Sequence, residues 1–213
     1  MRRLPLAPLL GAVLLLAGCA ATPRETASTG RAGAAAAFNV LGREDAPVTI
    51  IEFTDLQCPY CARHARQTFP ALRRDYIDTG KLRYASRDLP LPFHRFALPA
   101  AVAARCAGEQ GRFWEYRDAL FAAQQALPSA PYARIAQDLG LDVAQLEACR
   151  NEDRQAAEVR ADIERAQANG IRSTPSFVIG RVVNGEFRGE AFSGARPYED
   201  FKDRIEALLR ASD

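Results

Sequence analysis

The chain has 213 residues, 48% apolar and 25% charged, with a formal net charge of +2. Such proportions exclude a disordered polypeptide and fit one domain of ordinary size with room for an insertion. Arg2 and Arg3 account for the whole net charge. The remainder is neutral, so neither a nucleic-acid partner nor an acidic substrate is implied by charge.

Met1-Arg2-Arg3 is a basic start, and Leu4 to Ala17 form an apolar run. That run is shorter than the about 20 residues a spanning helix needs, which fits a signal peptide. Leu16-Ala17-Gly18-Cys19 resembles the bacterial lipobox. The resemblance implies a lipoprotein signal over residues 1–18 and a lipidated (palmitate-bearing) Cys19. An ordinary signal peptide with an incidental Cys is the alternative. Residues 19–37, rich in Ala, Thr, Gly and Ser, read as a tether reaching roughly 20–25 Å. The expected location is the periplasm, with the lipid in a bacterial membrane. Ala20 is not a retention-type Asp, which favours the outer membrane.

The folded domain is expected over residues 38–213. Phe38 to Leu41 form a short first strand, and Val48 to Phe53 a central one, β-branched and buried. Cys58-Pro59-Tyr60-Cys61 follows, with Pro59 suited to the first turn of a helix. That helix runs to about Asp78, with a kink or break at Pro70, and Thr79-Gly80 ends it. Lys81 to Ser86 form the next strand. The Ala-rich stretch at about 94–169 predicts helices near 97–107, 111–125, 132–139, 142–149 and 152–168. Phe113, Trp114 and Tyr116 read as packing residues. Strands return at Ser176 to Ile179 and Glu190 to Phe192, around a turn at Asn184-Gly185. Pro197 opens a last helix, with Phe201, Ile205 and Leu208 or Leu209 facing inward.

A strand leading into Cys-x-x-Cys at a helix start is a setting for dithiol redox chemistry. At the cap position, Cys58 faces unpaired N–H groups and the positive end of the helix dipole, both of which favour thiolate. Cys58 is then the nucleophile and Cys61 the resolving thiol. A fixed disulfide or half a zinc site is the alternative. His64 would extend the spacing to Cys-x2-Cys-x2-His, but His94 is distant, and His64 reads as a helix-surface residue. A c-type haem needs His at position 62, which is Ala. No metal or other cofactor is expected beyond the dithiol itself. Glu52 places a carboxylate within an apolar strand, which is costly unless it serves a purpose. Asp55, Gln57 and His94 border the motif without an assigned role.

Three segments carry a wider resemblance: Glu52 to Cys61, Arg105 to Trp114, and Thr174-Pro175-Ser176-Phe177. Together with the element order they resemble the DsbA-like branch of the thioredoxin superfamily over residues 38 to 211. The resemblance implies an α/β thioredoxin fold, a central mixed β-sheet flanked by helices, with an inserted helical subdomain. It implies that Glu52 moves the proton of the inner cysteine. It also implies that Thr174 and a cis Pro175 face the dithiol and pair with an extended substrate. Cys106 and Cys149 read as a structural disulfide between inserted helices, with two free buried thiols as the alternative. The expected activity is thiol–disulfide exchange on exported proteins, in the disulfide-forming direction, with a membrane redox partner for recycling. A reductase or isomerase is the alternative, and a Cu(I)-binding lipoprotein a further one. A monomer is expected.

Overall fold

The computed structural model of the protein describes residues 37–211. The expected signal peptide, Cys19 and the expected tether lie outside the described residues, save for Ala37. Among the described residues no helix is long and apolar enough to cross a membrane.

Five strands form one mixed sheet in the order β1-β3-β2-β4-β5. They are β1 (Val40–Leu41), β2 (Val48–Thr54), β3 (Leu82–Asp88), β4 (Ser176–Val183) and β5 (Glu186–Ser193). β2 lies at the centre, parallel to β3 and antiparallel to β4. Its alternating side chains divide between the faces. Val48 and Ile50 enter the main core with Leu82, Tyr84, Phe177 and Ile179. Ile51 and Phe53 belong to a second cluster with Leu89, Ala166 and Ile171. By the same alternation, Glu52 falls on the Ile50 face, toward the main core.

After β2 comes α1 (Pro59–Gln67), with Cys58 as its cap and Pro59 in its first turn. The expected break is present, two residues earlier than Pro70. Helical geometry lapses at Thr68, and Pro70 sits in the first turn of the short α2 (Phe69–Leu72), where its missing N–H costs no bond. A π-helical turn over Arg73–Ile77 completes the segment. Between β3 and β4 lie α3 (Ala97–Glu109), α4 (Phe113–Ala122), a 3-10 segment (Gln124–Ser129), α5 (Tyr132–Asp138), α6 (Val143–Asn151) and α7 (Asp153–Ala168). This is the expected helical insertion, with bounds within three residues of the spacing-based ones. Phe113, Trp114 and Tyr116 are buried, as read. α8 (Tyr198–Arg210) ends the domain, capped by Pro197 and burying Phe201 and Ile205.

The insertion is tied together at two places. Cys106 of α3 and Cys149 of α6 are joined, with their Cα atoms 5.8 Å apart. Asp88 at the end of β3 accepts a bond from Arg105 Nε at 2.6 Å, and Arg105 also binds Asp162 of α7. Burial raises the Asp88 carboxyl to about 6, against the opposing pull of Arg105. This buried cluster docks the insertion onto the end of β3 in the thioredoxin half.

Candidate active site

The two cysteines of the motif are free and differ in reach. Cys58 is 4% exposed and Cys61 fully buried, so only the first offers its sulfur to a partner. Cys58 has extended backbone angles (φ −74°, ψ 122°), which suit a helix cap. Asp55 sets that conformation. Its Oδ1 accepts from the N–H groups of Gln57 (2.7 Å) and Cys58 (3.1 Å). Its Oδ2 accepts from Leu91 N–H at 2.8 Å and lies 2.8 Å from His94 Nδ1. One buried carboxylate thereby joins the approach to α1 to the loop before α3. Gln57 Oε1 accepts from Phe96 N–H, and Gln124 Nε2 donates to the carbonyls of Leu56 and Cys58.

Electrostatics separate the two thiols. The Cys58 thiol falls from an ordinary value near 9 to about 6. Its largest cause is the hydrogen bond from the Cys61 side chain, opposed by burial and aided by Thr174 and the Cys61 and Tyr60 backbone N–H groups. Burial pushes the Cys61 thiol far up, and a charged Cys58 and the Glu52 carboxylate push it further. The Asp55 N–H, 3.5 Å from Cys61 Sγ, opposes this. A thiolate at Cys58 beside a protonated thiol at Cys61 is therefore the stable neutral-pH state.

Thr174-Pro175 is a cis peptide bond. Cys58 Sγ lies 3.5 Å from the Thr174 carbonyl oxygen. The Thr174 hydroxyl is buried without another protein partner, so it is available to the sulfur when that atom carries charge. Gly194, with φ +91°, turns its N–H onto the Pro175 carbonyl at 2.8 Å. A side chain would be strained in that left-handed conformation.

Glu52 is buried on the main-core face, as the alternation requires. Its Oε2 accepts from Arg117 Nη2 at 2.6 Å and Tyr84 OH at 3.0 Å. His64 Nε2 lies 3.0 Å from the same tyrosine oxygen. Sequence reasoning put His64 on the helix surface. The structure corrects this: His64 is fully buried, packed against the rings of Phe177 and Phe201. Three residues after Cys61, it shares the inward face of α1. Burial lowers its imidazole to about 4, so it is neutral at ordinary pH.

Arg117 was missed entirely. It is fully buried, with the rings of Phe69, Trp114 and Phe121 around its guanidinium. The signal was spacing: Arg117 stands four residues after Phe113 and three before Leu120, on the apolar stripe of α4. Glu52 Oε1 and Arg117 Nε and Nη1 are buried without protein hydrogen-bond partners, and Nη1 stands 3.6 Å from Asp118 Oδ1. Such atoms are ordinarily met by internal water.

Residues 37–207 match the family model described as Thioredoxin. The chain belongs to the thioredoxin family. Over 159 residues it is 38% identical to part of the Na(+)/H(+) antiporter NhaA 3 of Salinispora tropica. That match covers 74% of this chain and 24% of the antiporter, so the chain spans about a quarter of that relative's length. It is 29% identical over 162 residues to a Rickettsia conorii protein named provisionally as a protein-disulfide oxidoreductase, covering 73% of this chain and 58% of that one. Among solved structures it is similar to alpha-DsbA1 of Wolbachia pipientis, with a TM-score of 0.73 and 26% identity over 82% of this chain and 92% of that one. DsbA2 of Pseudomonas aeruginosa superposes with a TM-score of 0.65 and 28% identity, over 80% and 93% of the two chains. This thioredoxin-family chain shares with them the DsbA-like arrangement of a thioredoxin fold and an inserted helical subdomain.

Proposed function

We propose that the protein is a thiol–disulfide oxidoreductase of exported proteins, working in the disulfide-forming direction. The observation that carries the reading is the split between the thiols: Cys58 drawn down to about 6 and Cys61 held far above its ordinary value. In the disulfide form, a substrate thiolate attacks Cys58 Sγ. A substrate–Cys58 bond forms, the Cys58–Cys61 bond breaks, and Cys61 leaves with the electron pair and takes up a proton. A second substrate thiolate then displaces Cys58 as thiolate, leaving an oxidised substrate and a reduced protein.

The settings of the two sulfurs support each role. Stabilising the Cys58 thiolate stabilises the dithiol form relative to the disulfide, which makes the disulfide a stronger oxidant. Glu52, buried with Cys61 and felt by its thiol, exchanges the proton of that cysteine. Thr174 and Pro175 present backbone beside the Cys58 sulfur for an extended substrate strand. Tyr60 (56% exposed) and Phe93 (72% exposed) offer aromatic surface on the neighbouring segments. Cys106–Cys149 holds the insertion and does not exchange. Lipidation at Cys19, a periplasmic location with the outer membrane favoured, recycling by a membrane redox partner and a monomeric state complete the proposal.

The reaction direction is tested by equilibrating the Cys58–Cys61 couple with glutathione buffers. A potential more oxidising than about −200 mV supports a disulfide-forming role. A value near the about −270 mV of thioredoxin would assign the protein to disulfide reduction instead.

A further inference from the structure

A cleft of about 450 Å³ opens beside α1. Arg63, Gln67 and Thr68 form one wall, and Ala195, Arg196, Pro197 and Tyr198 the other. Both walls adjoin the dithiol. Arg63 follows Cys61 by two residues, and its guanidinium lies 5.1 Å from the ring centre of Tyr60, inside the motif. The second wall follows directly on Gly194, whose N–H binds the Pro175 carbonyl. A chain attached to Cys58 and running along the cis-proline loop has this cleft beside it.

The charge of the cleft is one-sided. Arg63 makes one long bond, Nη2 to the Ala195 carbonyl at 3.3 Å, and no carboxylate lies within salt-bridge range of it among the described residues. Arg196 donates from Nε to the Ser193 carbonyl at 3.1 Å, and its nearest carboxylate, Asp200, stands 3.9 Å from Nη1. Most other arginines of the domain hold a carboxylate closer, such as Arg160 with Asp153 at 2.8 Å. The Arg196 main chain is fixed by the Thr68 hydroxyl, which donates to its carbonyl at 3.1 Å. Two arginines with spare donors thus line one opening. The neutral balance of the whole sequence hides this, because the two residues are 133 positions apart and meet only in the fold.

We propose that this cleft is a carboxylate subsite, selecting substrate segments with Asp or Glu within a few residues of the reacting cysteine. The proposal rests on the exchange activity proposed above. The attacking peptide thiolate forms a bond to Cys58 Sγ, the Cys58–Cys61 bond breaks, and the electron pair passes to Cys61. Arg63 and Arg196 take no part in that chemistry. They hold the neighbouring carboxylate, raising the local concentration of acidic substrates and slowing the departure of the mixed disulfide.

The test uses the oxidised full chain and three capped peptides with one Cys, differing only in a Glu, Gln or Lys two residues away. Each rate is divided by the same peptide's rate with a small uncharged disulfide, which removes differences in peptide thiol reactivity. The expected result is Glu above Gln above Lys, spread over about tenfold at low ionic strength and collapsing in high salt. Arg63→Gln with Arg196→Gln should bring the Glu-to-Lys ratio near one. Arg134→Gln with Arg160→Gln, which together remove the same two charges elsewhere, should leave the ratio as in wild type. Equal rates for the three peptides, or a ratio that survives the double substitution, would overturn the subsite and leave the exchange reading intact. If no peptide reacts, both readings fall.

Discussion

Four cysteines lie within the described domain, and they form two buried pairs of opposite character. Cys106 and Cys149 join α3 to α6 across a sequence separation of 43, packed among apolar core residues. Cys58 and Cys61 are three apart at the start of one helix and remain free. Around the second pair stand Asp55, Glu52, Arg117, Tyr84, His64 and Thr174, in a network of buried hydrogen bonds. Burial alone therefore does not separate a reactive thiol from an inert one. The difference is a helix start beneath the sulfur and a partner thiol that donates to it.

That contrast can be broken from either side. The largest expected effect is Cys58→Ser, which should lower exchange by on the order of 10⁴-fold or more, measured by peptide oxidation. Cys106→Ser with Cys149→Ser should leave the rate within a few-fold. If the second pair proves essential for turnover, the assignment of roles is wrong.

Next is the charge beneath the dithiol. Arg117→Met leaves the Glu52 carboxylate buried and unpaired, and should cost about 3–5 kcal/mol in denaturant unfolding. Adding Glu52→Gln should recover part of that loss, because replacing both members of a buried ion pair is milder than replacing one. A double variant no more stable than Arg117→Met would show that the aromatic packing around Arg117 matters more than the pairing.

Removing the second pair should act on stability and not on chemistry. The chain-entropy model assigns a loop of this length about 4 kcal/mol. Loss of the Cys106–Cys149 link should therefore lower the urea midpoint while the pH profile of exchange stays in place. Glu52→Gln should do the reverse of that pattern at the catalytic step, slowing the departure and protonation of Cys61 by about 10²-fold and flattening the pH dependence of exchange. An unchanged profile would remove Glu52 from the proton path.

The sequence carried the fold and the motif because both are written locally. Strand alternation at Val48 to Phe53, Pro59 after Cys58, and Asn184-Gly185 between β4 and β5 are short-range signals. The helical insertion was legible from its Ala-rich spacing. What surrounds Cys61 was less so. Arg117 reaches Glu52 across 65 positions, and an arginine within a helix ordinarily reads as a solvated face. His64 was misread for the same reason, since its burial depends on Phe177 and Phe201 from distant strand and helix. Asp55 was seen near the site, but its bonds to Leu91 and His94 bring in a loop that no local pattern announces.

The proposed exchange depends on the depressed Cys58 thiol, which a pH titration reads directly. The thiolate favours the folded dithiol form. That contribution is complete above the ordinary thiol value near 9 and is lost as the pH falls through about 6. The reduced protein should therefore gain stability between about pH 6 and 9. The most direct measurement is the rate of Cys58 alkylation by iodoacetamide against pH, in a Cys61→Ala background and in wild type. In wild type the midpoint should fall at about 6, and Cys61→Ala, which removes the side-chain donor to Cys58 Sγ, should shift it upward. A wild-type midpoint near the ordinary value of 9 would contradict the central claim.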